Sequence, residues 1–441
     1  MCCRSWLINN TTIPFDKMLL ISHVIDNQEG VVKGLLRRGV TNAEQAIETL
    51  LTTDTERRQT QTELDNILAE SNRISKQIGQ LMQQGKKEEA ETVKQQTAQL
   101  KEKSKMLAEQ LRQHEESLRD QLYQLPNVPH PSVPDGSTAD DNEIIYEYGQ
   151  LLELSEDALP HWDLIEKYDI IDFELGNKVS GAGFPVYKGK GARLQRALIN
   201  FFLDEALDAG YTEVQPPLLV NEASGYATGQ LPDKEGQMYE LKDEALYLIP
   251  TAEVPITNLY RDKILKPDEL PIMNVGYTPC FRREAGSWGA DVRGLNRLHQ
   301  FDKVEIVQLR RPEQSYTALE EMALHARQLL EKLGLPHRVL KLCAGDLGFT
   351  SALTYDMEVY SAAQKRWLEV SSVSIFETYQ SNRLKLRYRD EDNKTQLLHT
   401  LNGSALALPR IMAALLENNQ EAEGVKIPEI LIPYTGFDRI T

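Results

Sequence analysis

The sequence has few of the features that membrane and zinc-stabilised proteins need. Nowhere in its 441 residues do about 18 apolar residues follow one another, the minimum for a spanning helix. Its four cysteines, Cys2, Cys3, Cys280 and Cys343, form no CxxC pair and no Cys/His cluster. This pattern argues against structural zinc and suits a reducing compartment. We therefore expect a cytoplasmic protein with no membrane segment and no structural zinc.

A secretion signal is also missing. The first 17 residues lack the basic start and the long apolar core of a signal peptide. A second methionine, Met18, opens the regular pattern "MLLISHVIDN". We interpret residues 1–17 as a short N-terminal extension or a misassigned start.

Proline is absent between Pro14 and Pro126, and a coiled-coil pattern occupies this interval. Apolar or small residues alternate spacings of three and four, first at Leu64, Ile67, Ser71, Ile74, Ile78 and Leu81, then at Ala90, Val93, Thr97, Leu100, Ser104, Leu107, Leu111 and Leu118. Such a heptad seam predicts two long helices, and Gly85 lies in the polar break between them. We predict an antiparallel hairpin over about residues 45–122, with its tip near 84–88, inside a helical arm of residues 18–125.

Positive charge is scarce overall but concentrated in this hairpin. The chain has 49 Lys and Arg against 66 Asp and Glu, a net charge of -17, which argues against indiscriminate nucleic-acid binding. Between Arg73 and Lys105, 8 basic residues face 4 acidic ones, a net of +4. This basic end is either a solvated coiled-coil face or a surface that touches a polyanion.

The sequence changes character after a linker over residues 126–143, which contains four prolines and has no periodicity. In residues 144–441, short β-like runs such as "EVQPPLLV", "KVEIVQL" and "RWLEVSSVSIF" alternate with helical stretches at 191–209 and 313–334. Because neighbouring strands lie close in sequence, we predict a mostly antiparallel sheet flanked by helices, and an α+β fold overall.

Charged residues interrupt a predicted hairpin over residues 279–306. Arg282 and Glu284 are two positions apart, so they share one face of a strand, and Phe301 lies on the return strand. The two charged residues could simply pair with each other. Alternatively, the guanidinium grips a phosphate or carboxylate, the glutamate accepts from an amine, and the phenyl ring stacks on a base.

Three other segments offer similar chemistry. They carry Thr251 and Glu253 between two prolines, Glu369, Ser371 and Ser372 in a β-rich run, and Asn402, Gly403 and Ser404 before an apolar helix with Arg410. Taken singly, each could be a helix cap or ordinary strand decoration. Together they supply the acids, hydroxyls and arginines that ATP, a divalent metal and a small zwitterion require.

These segments resemble those of the bacterial-type seryl-tRNA synthetases, which are class II aminoacyl-tRNA synthetases. "PPLLV" at 216–220, "CFRREAGSWGADVRGLNRLHQFDKVE" and "LNGSALALPR" resemble the first, second and third class II motifs. "TAE" at 251–253 and "EVSS" at 369–372 are similar to segments of the serine enzymes specifically. The resemblance runs from Met18 to the C-terminus and implies a class II catalytic domain over 144–441.

The resemblance also implies a role for each matching residue. Catalytic roles fall to Arg282 at the α-phosphate and substrate carboxylate, Glu284 at the adenine amino group and Arg410 at the γ-phosphate. The expected L-serine site comprises Thr251, Ala252, Glu253, Glu305, Asn402 and Ser404. The expected ATP site comprises Arg282, Arg283, Glu284, Leu298, Phe301, Glu369, Val370, Ser371, Ser372 and Arg410. Of these, Glu369 and Ser372 are expected to hold Mg²⁺ with ATP, and strand alternation gives Arg283 no catalytic role.

The expected partners follow from the same resemblance. A homodimer would bind tRNA(Ser) through the arm, and tRNA(Sec) where one exists. The expected tRNA-contacting residues are Arg73, Lys76, Lys86, Lys87, Lys94 and Arg293. The stretch "EAGSWGADVRGLNR" is expected to close on ATP and then to meet the tRNA acceptor end. The reaction implied is serine–tRNA ligation through seryl-adenylate.

The sequence departs from the commoner family pattern at four positions. Ala405 and Pro409 stand where glycines are usual, and both could shift the start of the last helix. Arg283 replaces a frequent serine, and Ile375 replaces a frequent asparagine, which questions a polar role at that point.

Two other functions compete with the ligase. A ligase that loads a carrier protein would have no need of the arm, and a non-enzymatic coiled-coil scaffold would have no need of Arg282, Glu284, Glu369 and Arg410 together.

Overall fold

The computed structural model describes residues 21–284 and 293–441, and these residues form two compact units. One unit comprises residues 21–36 and 40–126, and the other comprises 37–39 and the described part of 127–441. The interpretation of residues 1–17 lies outside the described residues, as does the 285–292 part of the predicted closing loop. No helix in the described ranges has the length and hydropathy of a membrane span.

The first unit is a long helical hairpin preceded by two short helices. Its helices are α1 (Ile21–Asp26), α2 (Gln28–Arg37, whose last residue clusters with the second unit), α3 (Ala43–Gln83) and α4 (Lys87–Gln124). Gly85, with a φ of +76°, lies in the turn between the two long helices, a conformation that costs glycine little.

The predicted seam is the one that the two helices bury against each other. All fourteen seam positions are buried or half-buried, with Leu64, Ile74, Ala90 and Leu107 the most enclosed. Lys103 of α4 forms an ion pair with Glu63 of α3 across the hairpin, at 2.7 Å. The antiparallel two-helix arm predicted from the sequence is therefore confirmed, whereas the exact domain boundaries stay a prediction.

The second unit is built on an eight-stranded sheet. Its helices are α5 (His161–Lys167), α6 (Phe173–Val179), α7 (Gly189–Asp208), α8 (Glu222–Thr228), α9 (Glu253–Asn258), α10 (Pro312–Lys332), α11 (Thr378–Leu384), α12 (Leu408–Asn418) and α13 (Ile432–Thr435). The strands of the large sheet are β1 (Glu143–Tyr148), β4 (Thr212–Glu213), β9 (Ile272–Phe281), β10 (Gln300–Arg310), β11 (His337–Lys341), β12 (Leu353–Ser361), β13 (Arg366–Glu377) and β16 (His399–Ala407).

The strands of the large sheet follow the order β1-β11-β12-β13-β16-β10-β9-β4. Every neighbouring pair is antiparallel except β4 and β9, so the predicted mostly antiparallel sheet is confirmed. Smaller sheets use β2 (Ile171–Asp172) with β3 (Val186–Tyr187); β5 (Leu219–Asn221), β6 (Tyr239–Glu240) and β7 (Leu246–Leu248); β8 (Ile264–Leu265), β14 (Arg387–Arg389) and β15 (Thr395–Leu397); and β17 (Gln420–Glu421), β18 (Gly424–Lys426) and β19 (Arg439–Ile440).

Helices α7, α10 and α12 pack on the sheet and enclose the main apolar core. Alternation along the strands sends one set of side chains into this core and the other set away from it. On β10, Val304 and Ile306 are fully buried in the core, so Phe301, Lys303 and Glu305 lie on the opposite face. The functional side chains described below occupy that opposite face.

Two local expectations from the sequence were wrong. The run "EVQPPLLV" is not one strand, because Pro216 and Pro217 separate β4 from β5 and proline cannot donate to a ladder. Strand β9 ends at Phe281, so Arg282 and Glu284 are not strand neighbours, and Glu284 has a φ of +48°. Asn402, Gly403 and Ser404 belong to β16, which rules out the alternative that they cap α12.

Two of the unusual residues fit their surroundings without distortion. Pro409 lies in the first turn of α12, where a missing backbone N–H costs nothing. Ile375 is fully buried in the apolar core, so a polar side chain would lack a place there.

Candidate active site

A cavity of about 420 Å³ opens on the polar face of the large sheet. Four carboxylates line it, Glu253, Glu284, Glu305 and Glu369, and four cations lie among them, Arg282, Arg297, Lys303 and Arg410. In a chain with a net charge of -17, this local balance is a property of the site and not of the composition. A balanced lining can hold a zwitterion and a polyanion side by side.

Strand geometry explains how the β13 residues reach this cavity. Ser372 and Ser374 line it while Val373 and Ile375 face the core, as simple alternation requires. Strict alternation would also turn Glu369 towards the core. A bulge opposite Met357 and Glu358 inserts one extra residue and shifts the phase, so Glu369 lines the cavity instead.

The cavity holds a buried cluster around Thr251. Lys303 and Glu305 form an ion pair whose side chains are only 7% and 1% exposed. The Lys303 ammonium also donates to Thr251 Oγ1 at 2.9 Å, and that hydroxyl donates to Glu305 Oε2 at 3.3 Å. Asn402 and Ser404 line the same cavity from β16. The predicted serine residues therefore lie together, with the exception of the fully buried Ala252, which does not line the cavity.

Glu253 begins helix α9 beside this cluster. Gln380 donates to Glu253 Oε1 at 2.6 Å, and Thr400 donates to Gln380 Oε1 at 2.7 Å, so the carboxylate is held in one orientation. Burial raises the pKa of Glu253 to about 7, against the opposing effect of the Gln380 hydrogen bond, and the neighbouring Glu305 adds to the rise. Glu253 can therefore change its charge near neutral pH.

Arg282 and Glu284 line the same cavity, and each has its own partner there. The Arg282 guanidinium lies 5.3 Å from the Phe301 ring centre and donates to the Pro250 carbonyl at 3.3 Å. Glu284 accepts from Arg297 at 2.9 Å. The two charged residues therefore line one cavity without pairing with each other. Arg283 does not line this cavity, and its backbone N–H donates to Gln237.

Arg410 projects into the cavity from the first turn of α12. Its guanidinium donates to the carbonyl oxygens of Glu369, at 2.6 Å, and Asn296, at 3.2 Å. The Glu369 carboxylate lies 3.6 Å away. Leu298, Val370, Ser371 and Ser372, all predicted ATP residues, line the same cavity.

The carboxylate of Asp356 lies behind Glu369 and Ser372. Asp356 pairs with Ser372 in the β12–β13 register and accepts a hydrogen bond from its hydroxyl. Burial, and then the charge of Glu369, raise the pKa of Asp356 well above its ordinary value. Its buried Oδ1 has no hydrogen-bond partner among residues 21–284 and 293–441. An oxygen donor set with one unsatisfied carboxylate oxygen fits Mg²⁺, which favours oxygen ligands and one or two carboxylates beside substrate phosphates.

The described residues contain no group of three or more His, Cys, Asp or Glu side chains that could hold a metal by themselves. A protein-only metal cage would need such a group, whereas a metal shared with a phosphate substrate needs only one or two protein ligands. Glu369 and Ser372 match the second case.

Four participants were missed by sequence reasoning: Lys303, Arg297, Gln380 and Asp356. Lys303 carried a usable signal, because it lies midway between Phe301 and Glu305 and so on the same face of β10. The other three contact partners 13 to 127 residues away in the chain, and nothing local in the sequence marks them.

The predicted tRNA residues are spread over both units. In the arm, Arg73, Lys86 and Lys94 each pair with a glutamate three residues away in the chain, whereas Lys76 and Lys87 are exposed and form no ion pair with another described residue. In the second unit, Arg293 lies with its guanidinium 4.7 Å from the Trp162 ring centre.

Comparison with known proteins identifies the family to which this chain belongs. The model of the seryl-tRNA synthetase N-terminal domain matches residues 18–129, and that of the class II tRNA synthetase core domain (G, H, P, S and T) matches residues 238–419. A serine–tRNA ligase of Salinibacter ruber is 52% identical over 96% of this chain and 99% of its own length. The chain belongs to the seryl-tRNA synthetase family.

Other members of the seryl-tRNA synthetase family agree over the same length. The serine–tRNA ligase of Pelotomaculum thermopropionicum is 47% identical over 95% of this chain and 99% of its own. The crystal structure of the Pyrococcus horikoshii seryl-tRNA synthetase, complexed with ATP, has a TM-score of 0.89 at 35% identity and covers 96% of this chain and 99% of its own. A cytoplasmic serine–tRNA ligase from Naegleria fowleri, in complex with AMP, has a TM-score of 0.84 at 27% identity, with 97% and 99% coverage.

Proposed function

We propose that this protein is a serine–tRNA ligase that activates L-serine with ATP and then transfers the seryl group to tRNA(Ser). The observation that carries the proposal is the single cavity in which the Thr251, Glu253, Lys303 and Glu305 cluster adjoins Arg282 and Arg410. The first group suits a small hydroxylated zwitterion, and the two arginines suit a triphosphate.

In the first step, a serine carboxylate oxygen forms a bond to the α-phosphorus of ATP, and the bond from that phosphorus to the β-phosphate oxygen breaks. Pyrophosphate leaves with that oxygen, and seryl-adenylate remains. No protein nucleophile is needed, because alignment and charge neutralisation account for most of such an acceleration. Arg282 holds the α-phosphate and the serine carboxylate, Arg410 holds the γ-phosphate, and Glu284 accepts from the adenine amino group.

When bound with ATP, Mg²⁺ supplies further charge neutralisation at the phosphates, and Glu369 and Ser372 are the residues that would hold it. In the second step, a terminal ribose hydroxyl oxygen of the tRNA bonds to the seryl carbonyl carbon and gives up its proton to the leaving phosphate, and AMP leaves as the bond from that carbon to the phosphate oxygen breaks. Phe301, stacked against the adenine, keeps the adenylate in place during this exchange.

Serine is selected by its hydroxyl group and by size. A site whose buried Thr251, Glu305 and Ser404 bond to the serine hydroxyl loses those bonds when alanine enters, so alanine is rejected strongly. Threonine also carries a hydroxyl group and is excluded by its extra methyl group. A well-packed pocket rejects that methyl group less strongly than it rejects the missing hydroxyl group of alanine.

The remaining partners belong to the same proposal. The arm binds the tRNA through Arg73, Lys76, Lys86, Lys87 and Lys94, by shape and phosphate contacts, with Arg293 contributing from the second unit. We also propose a homodimer in the cytoplasm. The support is family membership, together with the paucity of cysteine.

Serine-dependent exchange between ATP and pyrophosphate tests the proposal most directly. The expected result is exchange with L-serine that greatly exceeds exchange with alanine or threonine. Faster exchange with another amino acid, or none with serine, would overturn it. Charging of tRNA(Ser) then separates a tRNA ligase from a ligase that loads a carrier protein, which would exchange but not charge tRNA.

A further inference from the structure

A buried histidine–glutamate pair lies outside the cavity. Its histidine contacts residues 294–297, a segment that leads into the cavity and that we call the stem. His161 begins α5 and Glu417 lies near the end of α12, and neither side chain is exposed at all. His161 Nδ1 lies 2.7 Å from Glu417 Oε1. Neither residue lines the cavity, and the mechanism above gives neither a role.

The backbone fixes the protonation of this histidine. The Leu295 N–H donates to His161 Nε2 at 2.8 Å, and an amide N–H can only donate, so Nε2 carries no proton. The ring proton is therefore on Nδ1 and points at Glu417. Gly294, at a φ of +66°, leaves room for the ring, because a Cβ there would lie 2.3 Å from Nε2.

The Glu417 carboxylate is fully satisfied. Its Oε1 accepts from the His161 backbone N–H at 2.9 Å and from Gln364 at 3.0 Å, and its Oε2 accepts from Ser361. Burial by itself would raise the pKa of Glu417, but hydrogen bonds from His161 and Ser361 hold that pKa below its ordinary value. Gln364 also accepts from the Asn296 amide at 3.0 Å, which gives the stem a second tether.

Helix α12 thus holds the stem, residues 294–297, at two points. Arg410 and Glu417 are seven residues apart, two helical turns, and so lie on the same side of α12. Glu417 holds Leu295 through His161, and Arg410 donates directly to the Asn296 carbonyl. The same stem carries Arg297, the partner of Glu284, so its position affects both the arginine and the glutamate assigned to ATP.

We propose that His161 is a positioning residue for ATP: the bond from Leu295 to His161 fixes the stem so that Asn296 and Arg297 set Arg410 and Glu284 for the nucleotide. This inference rests on the proposed function for the identity of the nucleotide. It predicts that loss of the Leu295 bond weakens ATP binding and leaves serine binding unchanged, because the serine cluster shares no hydrogen bond with the stem.

Two substitutions separate the two bonds of His161. In His161→Gln the side-chain carbonyl can occupy the place of Nε2 and accept from Leu295, whereas in His161→Asn the amide can occupy the place of Nδ1 and donate to Glu417. Each variant loses one hydrogen bond, so a merely structural role predicts equal effects. We expect His161→Asn to raise the Kd for ATP in the presence of Mg²⁺ and the KM for ATP about 10-fold, and His161→Gln to stay within about 2-fold of the wild type.

Titration calorimetry with ATP and Mg²⁺ measures the Kd for ATP, and pyrophosphate exchange gives the KM for ATP and the KM for serine separately. Equal effects in both variants, or a raised KM for serine, would overturn the inference. If either variant fails to fold, Gln364→Leu cuts the Asn296 tether at a half-buried position and should raise the KM for ATP alone. No serine-dependent exchange by the wild type would instead remove the proposed function, while the titration would still report on the stem.

Discussion

Lys303 and Glu305 are a buried ion pair in the pocket that we assign to serine, and their effects on stability and on binding can be separated. With side chains 7% and 1% exposed, neither charge can turn to water if the other is removed. Removing one member of such a pair usually costs more stability than removing both, because an unpaired buried charge is left behind. Thr251 forms a hydrogen bond with each of them, so it would lose one partner whether Lys303 or Glu305 is removed.

We expect Lys303→Met to lower the free energy of unfolding by about 3–5 kcal/mol, and Lys303→Met combined with Glu305→Gln to recover most of that loss. Both variants should lose serine-dependent exchange, because the pocket no longer presents its charges. Denaturant unfolding and exchange kinetics measure the two effects. A double variant as unstable as the single one would contradict the argument.

Glu253 gives the same pocket a dependence on pH. Its pKa is raised to about 7, chiefly by burial, so the carboxylate is protonated below pH 7 and ionised above it. An ionised carboxylate is the better partner for the serine ammonium. The KM for serine should therefore rise about 10-fold as the pH falls from 8 to 6, and the KM for ATP should change much less. In Glu253→Gln the KM for serine should be higher and flat over this range; a slope that persists there would assign the titration to another group.

At the scale of the elements, the sequence predicted those helices and strands that the pattern of nearby residues is enough to define. The heptad seam of α3 and α4 and the strand runs of β10, β12 and β13 could be predicted from the sequence, because periodicity is enough to define them. Two features could not be predicted: the end of β9 at Phe281, and the bulge that turns Glu369 towards the cavity. A shift of one residue in the alternation of a strand has no signal in the composition. The pairing of His161 with Glu417, 256 residues away, is likewise a property of the packed fold.

The charged residues of the arm differ in how far they are already paired. Arg73, Lys86 and Lys94 each have a glutamate partner one turn away, whereas Lys76 and Lys87 are exposed and form no ion pair with another described residue. Local ion pairs of this kind compete with a phosphate for the same cation. Lys76 and Lys87 should therefore contribute more to tRNA binding than their paired neighbours.

We expect Lys76→Ala with Lys87→Ala to raise the KM for tRNA in the charging reaction and to lower the salt dependence of tRNA affinity by about one unit of slope for each lysine. Serine-dependent exchange should not change. Lys242→Ala, at an exposed position of the second unit, is the matched control and should leave both measurements at their wild-type values. An unchanged salt slope in the double variant would remove these two lysines from the tRNA surface.

For the whole molecule, the chain consists of two units with separate cores and, by our proposal, separate tasks. The cavity is lined entirely by residues of the second unit, and the hairpin buries its own seam. An acidic enzyme can then bind an acidic polymer, because the net +4 segment of the hairpin supplies local positive charge.

Shortening the hairpin tests this division of labour. Removal of residues 60–115 joins α3 and α4 at roughly opposite positions, since Gln121 donates to Thr53 below the cut and His114, near the end of the deleted part, faces Glu56 in the full chain. With a short glycine-containing turn in place of the deleted part, the remaining seam can still close. We expect serine-dependent exchange within about 2-fold of the wild type, and tRNA charging lower by at least about 100-fold, because the phosphate contacts that supply most of the tRNA affinity are lost. Circular dichroism should show only the loss of the deleted helices. An equal loss of exchange and charging would mean that the arm supports the catalytic unit itself, and unimpaired charging would mean that tRNA is bound elsewhere.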